Sequence, residues 1–474
     1  MSSNKHILFK VLLITLFLSF MTSSSAVKAA IPVPADTIPL PAGKEIYIPK
    51  EFRDMNFFNP ESRWSYHRMA CTDNFVIFWE KGFGKDLACA PDLEGKPMQV
   101  DLKNLEEKLE AYYRVFKEDM EFILPGSKAD RYRMMVMINY SLEGTAYGGD
   151  YDGEIGALWV TPNRLQDRKL NCIAHELGHS FQSQVTCDGA GEAWGGCGFF
   201  EMASQWMLWN VNPDWLTDEQ YHWDAFCKNT HKAFLHLSNI YRSPYVLQYW
   251  SEKHGKKVIG ELFRQGKKGE DPVMTYKRMS GLSQEAFNDE MFDAQRRLVN
   301  LDFKHAYQET RRHAGKLAFP AKVQPHSDKL ACPAEVCPEN YGCNAIPLQV
   351  PTKKGKVAVS FEGLADALKD AKETTDTKGY QLIHPEKAGW RLGFVAIDTE
   401  GKAHYSDACS VHGHRKAKLS YQLPEGKTFS QLWLVVMAAP TEHWKNEENW
   451  EHPELVKDAQ WPYSIKLKHT EILK

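Results

Sequence analysis

The stretch Asn171-Cys172-Ile173-Ala174-His175-Glu176-Leu177-Gly178-His179-Ser180-Phe181-Gln182 sets two histidines four residues apart, with a glutamate directly after the first. On a helix, residues four apart project from one face, so both imidazoles can reach a single ion while Glu176 lies beside it. Ile173, Ala174, Leu177 and Phe181 supply an apolar face for burial against a core. The spacing predicts a helix carrying a zinc-type hydrolytic site, with His175 and His179 as ligands and Glu176 as general base.

Such a site needs a third protein ligand and leaves the fourth position to water. The metzincin pattern would place a histidine six residues after His179; Val185 stands there, which excludes that class. Downstream carboxylates are Asp188, Glu192 and Glu201. Glu201 lies in Gly198-Phe199-Phe200-Glu201-Met202-Ala203-Ser204-Gln205-Trp206, whose apolar spacing predicts a buried helix. A charge there needs a strong reason, and a metal supplies one.

Two histidines on one helix, followed some twenty residues later by a glutamate on a second, resemble the gluzincin metallopeptidases, the group that includes thermolysin and a large class of aminopeptidases. The resemblance spans roughly residues 130–260. It implies one Zn2+ per chain held by His175, His179 and Glu201, and hydrolysis of a protein or peptide substrate. The family's glutamate helix commonly reads Glu-x-x-Ser-Asp; here it reads Glu201-Met202-Ala203-Ser204-Gln205, so Gln205 stands where an aspartate would orient a zinc histidine. Gluzincins also place an edge strand upstream of the zinc helix, and the resemblance puts Ala157, Leu158 and Trp159 on that substrate-binding strand. Downstream, the segment from Tyr241 to Gly255 is similar to the family's tyrosine-containing helix, leaving Tyr241 or Tyr245 as the oxyanion-stabilising residue. The aminopeptidase segment Gly-x-Met-Glu-Asn has no counterpart in residues 148–156, which favours an endopeptidase.

Around this centre the residue patterns predict an α+β chain. Residues 74–79, 133–139 and 156–162 are strand-like, and residues 102–122 carry apolar positions at helical spacing. Residues 144–153 read as a Gly-rich turn. The chain then reads as helical to about residue 314. A metallopeptidase domain is expected over residues 51–318, its sheet part ending near 162. Residues 319–347 read as a Cys- and Pro-rich connector, and residues 348–474 as a β-sandwich of short alternating strands.

Lys5 and Lys10 precede an apolar run over residues 11–20, with small residues near Ala26 and Ala29, as in a cleavable secretory signal over residues 1–29. The Pro-rich residues 30–50 follow as an extended segment. Removal of residues 1–29 takes three lysines and moves the formal charge from −3 to −6. No basic stripe suggests nucleic acid, and no other apolar run is long enough to span a membrane. A secreted or periplasmic protein is expected, in which ten cysteines are compatible with disulfides. Two further readings compete with the peptidase. One is a glycan- or protein-binding exported protein with an inert zinc site, using Trp433, Trp444, Trp450 and Trp461; the other is a zinc hydrolase acting on an ester or modified sugar.

Overall fold

Strand-forming β-branched, aromatic and Met residues assemble the first sheet. Its strands are β1 Met69–Cys71, β2 Phe75–Trp79, β3 Met134–Ile138, β4 Ala146–Tyr151 and β5 Ile155–Val160, in the order β1-β2-β3-β5-β4. β2, β3 and β5 run parallel, while β1 and β4 pair antiparallel at the two edges. β2 and β3 are buried along their whole length, as central strands covered on both faces should be. The computed structural model describes residues 38–191, 194, 198–305, 311, 323–351, 355–365, 380–412, 415–446 and 458–473. The expected signal segment therefore lies outside the described residues.

Between β2 and β3 runs α1 Leu102–Arg114, capped by the Asp101 side chain on the Asn104 N–H. The predicted helix continues as a π-turn over Val115–Asp119. After the short α2 Lys128–Arg131 and the sheet come α3 Asn171–Cys187, α4 Phe199–Val211, α5 Trp215–Asp218, α6 Gln220–Lys228, α7 Tyr245–His254, α8 Lys257–Gln265, α9 Pro272–Ser280 and α10 Gln284–Arg297. α3 lies across β4 and β5 and packs on α4. Both contacts are backbone-close. A Cβ on Gly148 of β4 would fall 1.8 Å from the Glu176 carbonyl oxygen, and one on Gly178 would fall 2.7 Å from Ser204 Oγ. Glycine is required where backbones approach this closely.

Two expectations change here. Residues 144–153 are not merely a turn, because they contain β4. β4 is also the edge strand, whereas β5, carrying Ala157, Leu158 and Trp159, is bonded on one side to β3 and on the other to β4. Its backbone groups are therefore committed to the sheet, and these three residues cannot bind a peptide by strand addition.

The C-terminal strands are β6 Gln324–His326, β7 Lys329–Ala331, β8 Cys343–Leu348, β9 Lys356–Gly363, β10 Gly389–Asp398, β11 Ala403–Tyr405, β12 Cys409–His412, β13 Lys416–Gln422, β14 Phe429–Ala438 and β15 Tyr463–Lys468. They form two antiparallel sheets, β13-β9-β15-β7-β6 and β11-β10-β14-β8 with β12 added on β10. Trp390, Leu392 and Phe394 alternate with Leu432, Leu434 and Val436 to fill the core between the sheets. The opposite residues Val395, Ile397, Trp433, Val435 and Met437 belong instead to the core of the sheet-and-helix region. α10 covers this second face, with Arg391 donating to Glu285 (2.6 Å) and Asp289 (2.8 Å). The expected linker is thus corrected: residues 319–347 contribute β6, β7 and most of β8, and Leu40–Lys474 forms one compact unit.

Trp433 and Trp461 are buried and Trp444 is half-buried, so the first two pack rather than offer a platform; Trp450 lies outside the described residues. Cys71, Cys89, Cys172, Cys187, Cys332, Cys337 and Cys409 are free thiols, and Cys197 lies outside the described residues. No helix of the described residues is long and apolar enough to cross a membrane.

Candidate metal centre

α3 presents His175 and His179 on the face turned to α4, which returns Glu201 from its first turn. His175 Nε2 and His179 Nε2 lie 3.1 Å apart, and each is 3.0 Å from Glu201 Oε2. Three donors on a tetrahedral ion with bonds of about 2.0–2.2 Å would be about 3.3–3.6 Å apart, so this near-equilateral triangle, slightly contracted, approaches the dimensions of one face of a zinc site.

The hydrogen bonds behind the rings decide which nitrogens face the triangle. Gln205 Nε2 donates to the Tyr241 carbonyl (2.8 Å), so its Oε1 is turned to His175 Nδ1 at 3.0 Å. Gln182 Nε2 donates to the Phe200 carbonyl (3.0 Å) and Ser204 Oγ (3.1 Å), which turns its Oε1 to His179 Nδ1, also at 3.0 Å. Both acceptors fix the ring proton on Nδ1. The two Nε2 lone pairs of the neutral rings then converge with a carboxylate oxygen, an arrangement that a cation satisfies. Where the rings carry a second proton in place of an ion, they donate to Glu201; burial would raise that carboxyl, but these hydrogen bonds overcome it and hold the group well below the usual carboxylate range. Burial likewise opposes charge on His179, yet Glu201 raises it above the ordinary imidazole value.

Of the alternative third ligands, Asp188 is engaged elsewhere: its Oδ1 accepts from the Lys128 N–H and from Gln184 Nε2, both at 2.9 Å. Glu192 lies outside the described residues. Glu176 is held by the β4 edge, where the Gly148 N–H donates to its Oε2 at 2.8 Å. Cys172, one turn earlier, is kept a neutral thiol, pushed up to about 12 by burial and then by the Glu176 charge.

The two candidate tyrosines separate sharply. Tyr241 is 44% exposed, its ring centroid is 5.9 Å from that of His175, and its phenol lies within reach of the Glu201 charge. Burial first, and Glu201 second, raise this phenol well above its ordinary value, so it remains a donor. Tyr245, by contrast, is 2% exposed and enclosed by Trp209, Trp223 and Phe226, which removes it from the catalytic candidates. With Thr230 and Asn239 it lines a cavity of about 20 Å³, room for about one water molecule.

A second group of potential ligands, His236, Glu339 and Asp458, converges among the described residues. Here His236 Nδ1 accepts the Ser238 N–H (3.0 Å), so a neutral ring carries its proton on the other nitrogen and has no lone pair left for a metal. Glu339 accepts from Lys232 Nζ and the Ala233 N–H, both at 2.9 Å, and Asp458 accepts from Asn446 Nδ2 at 2.5 Å. Burial, reinforced by the Glu339 charge, pushes Asp458 up to about 7. This is a hydrogen-bonded charge cluster.

A family model described as a family of unknown function (DUF6055) matches residues 40–474. The chain belongs to the DUF6055 family. No curated protein matches it. Among solved structures, this DUF6055 chain is similar to a xylan-binding domain of carbohydrate-binding module family 22, with 12% identity and a TM-score of 0.18 over 32% of this chain and 83% of that one. The C-terminal family 22 module of Clostridium thermocellum Xyn10B gives 12% identity and 0.18 over 32% and 82%. The CBM22-2 xylan-binding domain of Paenibacillus barcinonensis Xyn10C gives 15% identity and 0.17 over 31% and 78%. Likenesses this slight assign neither a shared fold nor a ligand to the DUF6055 chain.

Proposed function

We propose that this chain is an exported zinc-dependent peptidase with a gluzincin-type core. The observation that carries the reading is the convergence of two histidine lone pairs and one half-buried carboxylate oxygen within 3.1 Å, each ring fixed from behind by a glutamine amide. A bound zinc ion would acidify a water and polarise the scissile carbonyl.

The chain's own residues supply the rest. Glu176, fixed by the Gly148 N–H, takes a proton from the attacking water and delivers it to the leaving amine. Tyr241 donates its hydroxyl to the oxygen on which negative charge develops. The free edge of β4, rather than β5, is the place where an extended peptide would add as a further antiparallel strand beside Glu176. An unfolded protein segment fits an open strand edge, which favours an endopeptidase.

The test is Glu176→Gln assayed on an unfolded protein such as casein, with products read by mass spectrometry and bound zinc measured in parallel. Hydrolysis is expected to fall by about 10²–10⁴-fold with zinc retained. Equal hydrolysis by the variant would remove Glu176 from the mechanism, and absence of hydrolysis in both proteins across a panel of unfolded proteins would overturn the peptidase reading.

A further inference from the structure

We infer that Gln205 is a positioning residue that ties the His175 ring to the backbone carrying Tyr241, a task requiring an amide, which no carboxylate at this position could perform. The inference rests on the metal-site reading above and concerns a residue that departs from the gluzincin pattern. A glutamine offers an acceptor and a donor from one rigid plane, whereas an aspartate or glutamate at neutral pH only accepts. Gln205 uses both ends: Oε1 takes the His175 Nδ1 proton at 3.0 Å, and Nε2 donates to the Tyr241 carbonyl at 2.8 Å, its other proton facing His222 Nε2 at 3.4 Å. The side chain is 3% exposed, so water does not compete for either bond.

Asn239, whose Nδ2 donates to the Asn229 carbonyl at 3.0 Å, holds the start of this stretch, and the bond from Gln205 holds it at Tyr241 itself. Tyr241 is in neither helix nor strand, following the short 3-10 turn Leu237–Asn239, and its ring is 44% exposed. Ile240 packs against the start of α4, where a Cβ on Gly198 would lie 2.3 Å from Ile240 Cγ2. With the backbone pinned on α4 by Ile240 and by Gln205, the phenol is delivered to Glu201 and His175. Gln182 provides an internal contrast. It orients His179 in the same way, but its amide nitrogen donates to the Phe200 carbonyl and Ser204 Oγ rather than to the Tyr241 stretch.

The test combines zinc affinity by chelator competition with hydrogen–deuterium exchange of the full-length protein, read on peptides covering residues 236–245. The Asn239 and Arg242 amides are bonded within this stretch and report its opening. In Gln205→Glu, which keeps the acceptor and loses the donor, zinc affinity is expected within about threefold of wild type or tighter, while exchange over 236–245 rises tenfold or more. Should a buried carboxylate prevent folding, Gln205→Met and Gln182→Met carry the same test. Both are expected to weaken zinc by about 10–100-fold, but only Gln205→Met should accelerate exchange over 236–245. Wild-type exchange in that stretch for Gln205→Glu or Gln205→Met, or equal acceleration in Gln182→Met, would overturn the tie. Failure of wild type to bind zinc would overturn the metal-site reading instead, and the exchange comparison would still decide whether Gln205 anchors the Tyr241 backbone.

Discussion

Among the described residues, two groups bring histidine and carboxylate together, and only one of them has the donor geometry of a metal site. At His175, His179 and Glu201 the ring nitrogens pointing away from the group are engaged by glutamine carbonyl oxygens, which leaves two lone pairs aimed at a shared point. At His236, Glu339 and Asp458 the histidine accepts a backbone N–H, and Lys232 already neutralises one carboxylate. Residue types do not distinguish the two. The hydrogen bond on the far side of the imidazole does, because it decides whether the near side offers a lone pair or a proton.

The largest effect that would sharpen this contrast lies beside the first group. Tyr241→Phe is expected to lower kcat on an unfolded protein substrate by about 10²–10³-fold, with zinc retained. Tyr245→Phe should leave kcat within a few-fold, since its ring is walled off from the site; steady-state kinetics of the two variants compare them directly. Gly148→Ala breaks the seat of α3 on the edge strand, where the added methyl would meet the Glu176 carbonyl at 1.8 Å. A loss of about 1–3 kcal/mol is expected, measured by denaturant unfolding, together with lower activity as Glu176 shifts.

The second group makes its own prediction through pH. Asp458 holds its proton to about pH 7 in the folded chain, against an ordinary value of 3.8. The folded state therefore binds the extra proton between these values, and stability falls as pH rises from about 4 to 7 and stays low above it. Asp458→Asn removes that fall. It should raise stability at pH 8 by up to about 4 kcal/mol while changing little at pH 4, read from unfolding curves at the two pH values. A gain of equal size at both pH values would show that the carboxyl is not proton-linked to folding. The smallest expected effect is His236→Ala, which should leave bound zinc unchanged.

The helix α3 and the approach of Glu201 to its two histidines were legible in the sequence because helix geometry turns a spacing of four into a shared face, and because a glutamate within Phe199-Phe200-Glu201-Met202 has few other reasons to be there. β2, β3 and β5 were legible from their runs of β-branched, aromatic and Met residues. β4 was not, because Gly148, Gly149 and Asp150 are poor strand formers that read as a turn; the glycine at 148 is demanded by α3 lying against it, a tertiary fact. Gln182 went unread since a polar residue three positions after His179 is ordinary on any helix, and only its bonds to Phe200 and Ser204 reveal which way the amide faces. Choosing Tyr241 over Tyr245 required burial, which the sequence of two nearby aromatics does not supply. The strands within residues 319–347 were hidden by their prolines and short length.

Elemental analysis of zinc in the purified wild-type protein beside His179→Ala, Glu201→Ala and His236→Ala tests the contrast between the two groups most directly. About one zinc per chain is expected in wild type and in His236→Ala, with most of it lost from His179→Ala and Glu201→Ala; zinc retained in those two variants, or lost from His236→Ala, would contradict the assignment of the metal to His175, His179 and Glu201.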